Sequence, residues 1–374
     1  MKVSFNPIIS TNNFGRILQR GNVRQNETIT ESDSDNTIAL PLIAYHPINF
    51  KAKPDANFII TQTGNICAYT RRPMLTSYAL RSIYAKLAKK PNAQAAINFL
   101  EGYKSYMPAV EVDVFDFLKA NSDGKKTFQD ILYEKHYDSL NELRSKQAMI
   151  LGSDETDDII SDLDGHSRDY VSQIRDSAMF QIYDTKNPFS RHELLKQIES
   201  IQTNEDNLAK LDELYNLWYK LPRSFMDFDA FVMKYYSASH DFIAQRLLSM
   251  SEKTVEHLWP TARGGKDALV NMVPAIKLIN NDRGDMRLNR YDYLNPQIGI
   301  RRNLQKYVND ISGEIAKGKT PLAKRKYYPK DLRKIVLDET EGDFNLKVPE
   351  IKPRKQIKLT SSQKGKNRYI TNRK

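Results

Sequence analysis

The chain has 374 residues, 40% of them hydrophobic, a single cysteine and a net charge of +11. That length holds about two or three domains of ordinary size, and one cysteine excludes an internal disulfide framework and suits a reducing compartment. No apolar run reaches the roughly 18 to 20 residues of a membrane span, and the start, MKVSFNPIIS, lacks the apolar core of a secretory signal, so a soluble cytoplasmic protein is expected.

Residues 1–55 read as a mostly flexible segment. Gln19 to Thr37 is polar, with SDSD at its centre, while Ile38 to Phe50 carries apolar residues and two prolines that suit extended chain packed on a neighbour. Residues 56–75 then predict a β-hairpin: Asn57 to Tyr69, NFIITQTGNICAY, is two β-rich runs split by Thr63-Gly64-Asn65.

From 76 to 252 nearly every segment has helical period. Ser77 to Lys90 is apolar at Tyr78, Leu80, Ile83, Tyr84 and Leu87, Ala93 to Tyr103 follows, and Thr127 to Leu151 is apolar at Ile131, Leu132, Tyr137, Leu140, Leu143 and Met149. Ser190-Arg-His-Glu193 predicts a capping box, and Asn204 opens a helix that Pro222 ends. Phe225 to Tyr236 and Asp241 to Met250 complete the set, without a fixed-period repeat. Asp162-Leu-Asp164-Gly165 mimics a calcium loop, but Ile160 and Val171 would occupy its first and twelfth ligand positions, so it reads as an acidic turn. His136, His166, His192 and His240 have no metal spacing among themselves and suit surface or capping roles.

Thr254 to Gly284, TVEHLWPTARGGKDALVNMVPAIKLINNDRG, is the stretch that carries chemistry. Thr254 to Trp259 reads as a strand stopped by Pro260, and Thr261 to Asp267 as a glycine-bearing loop. The loop's Gly264-Gly265-Lys266 lacks the rest of a phosphate-loop pattern. Leu269 to Met272 predicts a second short strand, Pro274 a helix start, and Gly284 the position past the helix end. His257 and Asn271 lie fourteen positions apart, and Asn271 and Asn280 nine.

In that spacing and element order the stretch resembles the HNH endonucleases in their His-Asn-Asn form. The resemblance implies a ββα-metal unit in which Glu256 and Asn280 hold one divalent metal, His257 is the general base, and Asn271 ties down the loop and orients His257. Hard oxygen donors suit Mg²⁺, with Mn²⁺ as the other candidate, and an imidazole exchanges protons near working pH. Adjacent residues on a regular strand face opposite ways, so a local bend is expected at His257. Many of these proteins carry a zinc knuckle of two Cys-x-x-Cys pairs. Here the corresponding places read Cys67-Ala-Tyr-Thr70 and Ile276-Lys-Leu-Ile279, so structural zinc is not expected and apolar packing is expected to brace the fold.

The hairpin of such proteins lies upstream of the His strand, so an insertion of about 180 residues, from Met74 to Thr254, is expected to split this module. The expected fold is therefore α+β, predominantly α. A small ββα unit over 253–316 is interrupted by a large helical insertion over 76–252 and followed by a basic, largely disordered tail over 317–374. Lys317 to Lys374 holds 18 Lys and Arg against 6 Asp and Glu, which leaves the rest of the chain nearly neutral. Such a tail is drawn to phosphate. Arg263, Lys266, Lys277 and Arg283 surround the motif as candidate phosphate contacts. The function read from the sequence is metal-dependent hydrolysis of nucleic acid, DNA before RNA. The alternatives are a nucleic-acid-binding protein with an inactive HNH fold and a helical interaction protein with a vestigial nuclease module.

Overall fold

The computed structural model describes residues 64–184, 189–318 and 327–350. Helices dominate, and their ends are set by short polar side chains that take up orphan backbone donors. The first group is α1 (Ser77–Leu87), α2 (Ala93–Leu100), α3 (Ala109–Ala120) and the long α4 (Phe128–Leu151). Thr76, Asn92 and Thr127 cap α1, α2 and α4, with a complete capping box at Thr127 and Asp130. α5 (Asp154–Ser161), α6 (Gly165–Tyr183), α7 (Arg191–Glu199) and α8 (Glu205–Trp218) follow, then α9 (Phe228–Tyr235) and α10 (His240–Ser249). The acidic turn has a structural job, since Asp164 caps α6 by accepting the Ser167 N–H.

Two helical cores result. Leu80, Phe115, Phe128, Leu132, Phe231 and Leu247 belong to one, built from α1–α3, the start of α4, α9 and α10. Leu151, Val171, Leu195, Leu214 and Trp218 belong to the other, which joins the end of α4 to α5–α8. The 24 residues of α4 reach from the first core into the second.

His240 shows how the helices lock together. It opens α10, yet its Nδ1 accepts the backbone N–H of Phe128, the first residue of α4, at 3.0 Å. Burial holds its pKa below the ordinary histidine value, against the opposing pull of Asp241 and Asp130. With the folded pKa below the unfolded one, the stabilisation is full above the unfolded value of about 6.5 and is lost as pH falls through the folded pKa. The ring must then gain a proton on the atom that accepts the Phe128 N–H. Thermal melts should therefore lose stability on going from neutral to acid pH, and His240→Gln, whose amide oxygen can still accept that N–H, should flatten the decline. Superimposable pH curves for the two proteins would contradict this role.

The third core holds the sheet. β1 (Lys253–His257) pairs antiparallel with β2 (Met272–Ile276), with His257 opposite Met272 and Val255 opposite Pro274. α11 (Lys277–Arg283), α12 (Leu288–Leu294), α13 (Ile300–Lys317) and α14 (Tyr328–Glu339) follow. Cys67, Tyr69 and Met74, which precede the helical region, pack in this core with Ile276, Ile279, Tyr291, Leu304 and Tyr307. The chain thus leaves the sheet near Leu75 and returns to it at β1, and Leu75 forms a parallel bridge with Glu252 at the junction.

Two sequence expectations need correction here. Pro274 does not open a helix but sits in the middle of β2. The Leu258 N–H bonds the Asn271 carbonyl at 2.8 Å, so hydrogen-bonded pairs alternate and Val255–Pro274 falls on a non-bonded pair, where a missing N–H costs the ladder nothing. The Pro274 carbonyl instead accepts the Ala68 N–H at 2.8 Å, which ties the upstream turn to the sheet. A turn stands at Gly64-Asn65, both at positive φ, within the expected Thr63-Gly64-Asn65; the run before it, at 57–63, lies outside the described residues, and a further turn over Cys67 to Arg72, closed by an Ile66–Pro73 bridge, follows.

The last correction concerns the segment from 317 onward. Residues 327–350 are folded, and Tyr328, Leu332, Val336, Phe344 and Leu346 are buried in the third core. Their helical spacing lies within a run of basic residues, and Lys330, Arg333 and Lys334 occupy the exposed side of the same helix. Residues 1–63, 319–326 and 351–374, which include the segment expected to be flexible and most of the basic run, lie outside the described residues. No helix among the described residues is long and apolar enough to cross a membrane.

Candidate active site

β1, the loop after it, β2 and α11 bring the motif together in strand, loop, strand, helix order. The loop is held by one side chain. Asn271 accepts the Trp259 N–H at 2.8 Å and donates its amide protons to the carbonyls of Trp259 and Lys266, both at 2.9 Å. Both ends of the 259–266 loop are thereby closed on a buried amide whose donors and acceptor are all used. Gly265 must be glycine, because a Cβ there would lie 1.9 Å from the Trp259 carbonyl oxygen, and Gly264, at φ +89°, takes a left-handed turn beside it.

His257 stands at the end of β1, partly exposed, with Nε2 3.0 Å from Oδ1 of Asp267. Sequence reading missed Asp267. The only sequence signal was its position just after the two glycines, and nothing there shows that the loop folds back far enough to reach the imidazole. The Asn271 amide makes its hydrogen bonds to Trp259 and Lys266, not to the His257 side chain. It fixes Lys266, and the next residue supplies the contact.

The bend expected at His257 is absent, since β1 pairs in unbroken register through His257. Glu256 consequently faces inward while His257 faces out, as strand alternation requires. Oε1 of Glu256 accepts from Nη1 of Arg283 at 2.7 Å. Arg283 is fully buried, and its guanidinium also donates to the carbonyls of His257 and Leu258 at 2.7 Å and lies 3.5 Å from Glu339. Glu339 in turn accepts the Leu288 N–H at 3.1 Å, and burial raises its pKa against the pull of Arg283. Arg283 therefore braces the strand from within and does not meet solvent, which corrects its expected role as a phosphate contact.

The other expected phosphate contacts differ among themselves. Arg263 and Lys266 are exposed on the loop. Lys277 is half-exposed, and its Nζ lies 3.4 Å from Glu252. Asn280 is half-buried on α11, and its side-chain amide makes no hydrogen bond among the described residues. It is three positions before Arg283, the partner of Glu256, and so on the neighbouring strip of the helix.

The resemblance implies a hard divalent cation, and the donors fit it in kind: a carboxylate from β1 and an amide oxygen from α11. Two protein oxygens suit an ion that keeps several waters. Arg283 already shares the Glu256 carboxylate, and among the described residues no three His, Cys, Asp or Glu side chains group to hold a metal. Cys67, Ile276 and Ile279, the positions that the resemblance sets against zinc-knuckle sulfurs, belong to the same apolar core.

Comparison of the chain with protein-family models, with curated proteins and with solved structures finds no match.

Proposed function

We propose that the chain is a cytoplasmic HNH-type nuclease that hydrolyses phosphodiester bonds of DNA. The observation that supports this reading most is the clasped loop: Asn271, at the motif spacing, closes the 259–266 segment with three hydrogen bonds beside a partly exposed His257. In this reading His257 takes the proton of the attacking water. Arg263 and Lys266 meet the phosphates on either side of the scissile bond. Glu256 and Asn280 would hold the divalent metal, Mg²⁺ first, which when bound stabilises charge on the phosphate and the leaving oxygen. One such site cuts one strand at a time, so a single chain nicks.

A second reading, nucleic-acid binding without cleavage, draws on the ion pair that occupies Glu256. Incubation of supercoiled plasmid with the purified chain separates the two. Nicked circles with Mg²⁺ or Mn²⁺ and none with EDTA are expected. DNA that is bound yet intact under every metal would favour binding alone.

The basic C-terminal run adds a salt test. Nine Lys and Arg lie between Lys352 and Lys374. Replacing them with Gln should weaken DNA binding and flatten its salt dependence, by roughly 0.9 in the log–log slope for each phosphate that is no longer neutralised. An unchanged slope would leave the run a solubilising one.

A further inference from the structure

We propose that Asp267 is a positioning residue for His257, a role that rests on the nuclease reading above. The carboxylate can only accept, so its contact with Nε2 at 3.0 Å fixes the ring proton on that nitrogen and leaves the lone pair on Nδ1. Among the described residues Nδ1 has no hydrogen-bond partner, which is the condition a proton acceptor needs. The contact is built by the loop. Asn271 clasps the Lys266 carbonyl at 2.9 Å, the Ala268 N–H bonds that same carbonyl at 2.9 Å, and Asp267 between them is turned onto the imidazole. Gly265, with no room for a Cβ, lets the loop pass close enough to Trp259 for this to happen. His257 and its orienting carboxylate Asp267 are thus in direct contact, and the Asn271 amide acts on them through the backbone of Lys266.

The Asp267 side chain is 58% exposed, so its replacement tests position without emptying a core. Asp267→Ala and Asp267→Asn in the full chain should nick a DNA substrate with kcat lowered about 100-fold, KM within about twofold, and an unchanged Mg²⁺ concentration for half-maximal rate. Ring ¹⁵N spectra at one fixed pH, assigned with His257→Gln, should show the Nε2–H tautomer in the wild type and a mixture in Asp267→Ala. Unchanged kcat with an unchanged ring spectrum would overturn the proposal, as would a shifted Mg²⁺ requirement, which would make Asp267 a metal ligand. A wild-type chain that never nicks would defeat the nuclease reading itself, and the ring spectra would then decide the Asp267 contact alone: a locked tautomer released in Asp267→Ala upholds it, and identical spectra overturn it.

Discussion

Arg283→Ala should cost the sheet module about 3–5 kcal/mol, the usual penalty for removing one partner of a buried ion pair. Its guanidinium is enclosed, with Glu256 at 2.7 Å on one side and Glu339 at 3.5 Å on the other, so its removal takes from two buried carboxylates the cation that they share. Glu339 is already held above the ordinary carboxyl range by burial and would take up a proton in the absence of Arg283. Glu256, on the strand beside His257, would be left to face the same core. The carbonyls of His257 and Leu258 would also be without their donors. Arg283→Lys should recover only part of the stability, because one ammonium cannot reproduce the planar fork that meets two carbonyls and a carboxylate at once. Denaturant unfolding followed by tryptophan fluorescence reads this directly, since Trp259 lies two residues from His257. A destabilisation below about 1 kcal/mol, the size expected of an exposed pair, would mean that Arg283 is not enclosed as described.

Asn271→Ala should release the 259–266 loop. The buried amide satisfies one backbone donor and two backbone acceptors, and each group left unpaired in a buried place costs roughly 1–3 kcal/mol. Solvent reaches part of the loop, so a total on the order of 3 kcal/mol is expected. Asn271→Asp should fare no better, because it sets a carboxylate oxygen against the carbonyls of Trp259 and Lys266 where an N–H₂ stood. Limited proteolysis should cut both variants between Pro260 and Ala268 long before the wild type. Equal resistance in all three proteins would show that the loop is held by its backbone turns alone. The same variants should also release Asp267 from His257, since the clasp sets the position of residue 266.

The parts of the fold legible in the sequence are those written in local chemistry. Thr127, Ser190 and Asn204 mark helix starts because short polar side chains satisfy orphan N–H groups. The loop's closing amide is legible only through the resemblance, which implies that Asn271 ties the loop down; its side chain bonds the backbone of Trp259 and Lys266. What stays hidden depends on tertiary neighbours. Pro274 reads as a helix opener until the strand register shows that its nitrogen lies on a non-bonded pair. Arg283 reads as a surface cation because nothing in its neighbourhood announces a glutamate 27 positions earlier. Net charge masks α14: Tyr328, Leu332 and Val336 recur every four residues, but the basic residues around them dominate the composition. Asp267 is hidden for a related reason, as its partner is set by loop closure and not by sequence spacing.

Comparing nicking of supercoiled plasmid in Mg²⁺ by wild type, His257→Ala and Asn280→Ala, each shown to be folded by circular dichroism, tests the nuclease reading most directly. The wild type should convert supercoiled DNA to open circles, and both variants should fall by at least about 100-fold, as removal of a general base and of a metal ligand requires. Nicking at the wild-type rate by His257→Ala would contradict it and move any cleavage to residues other than those around β1.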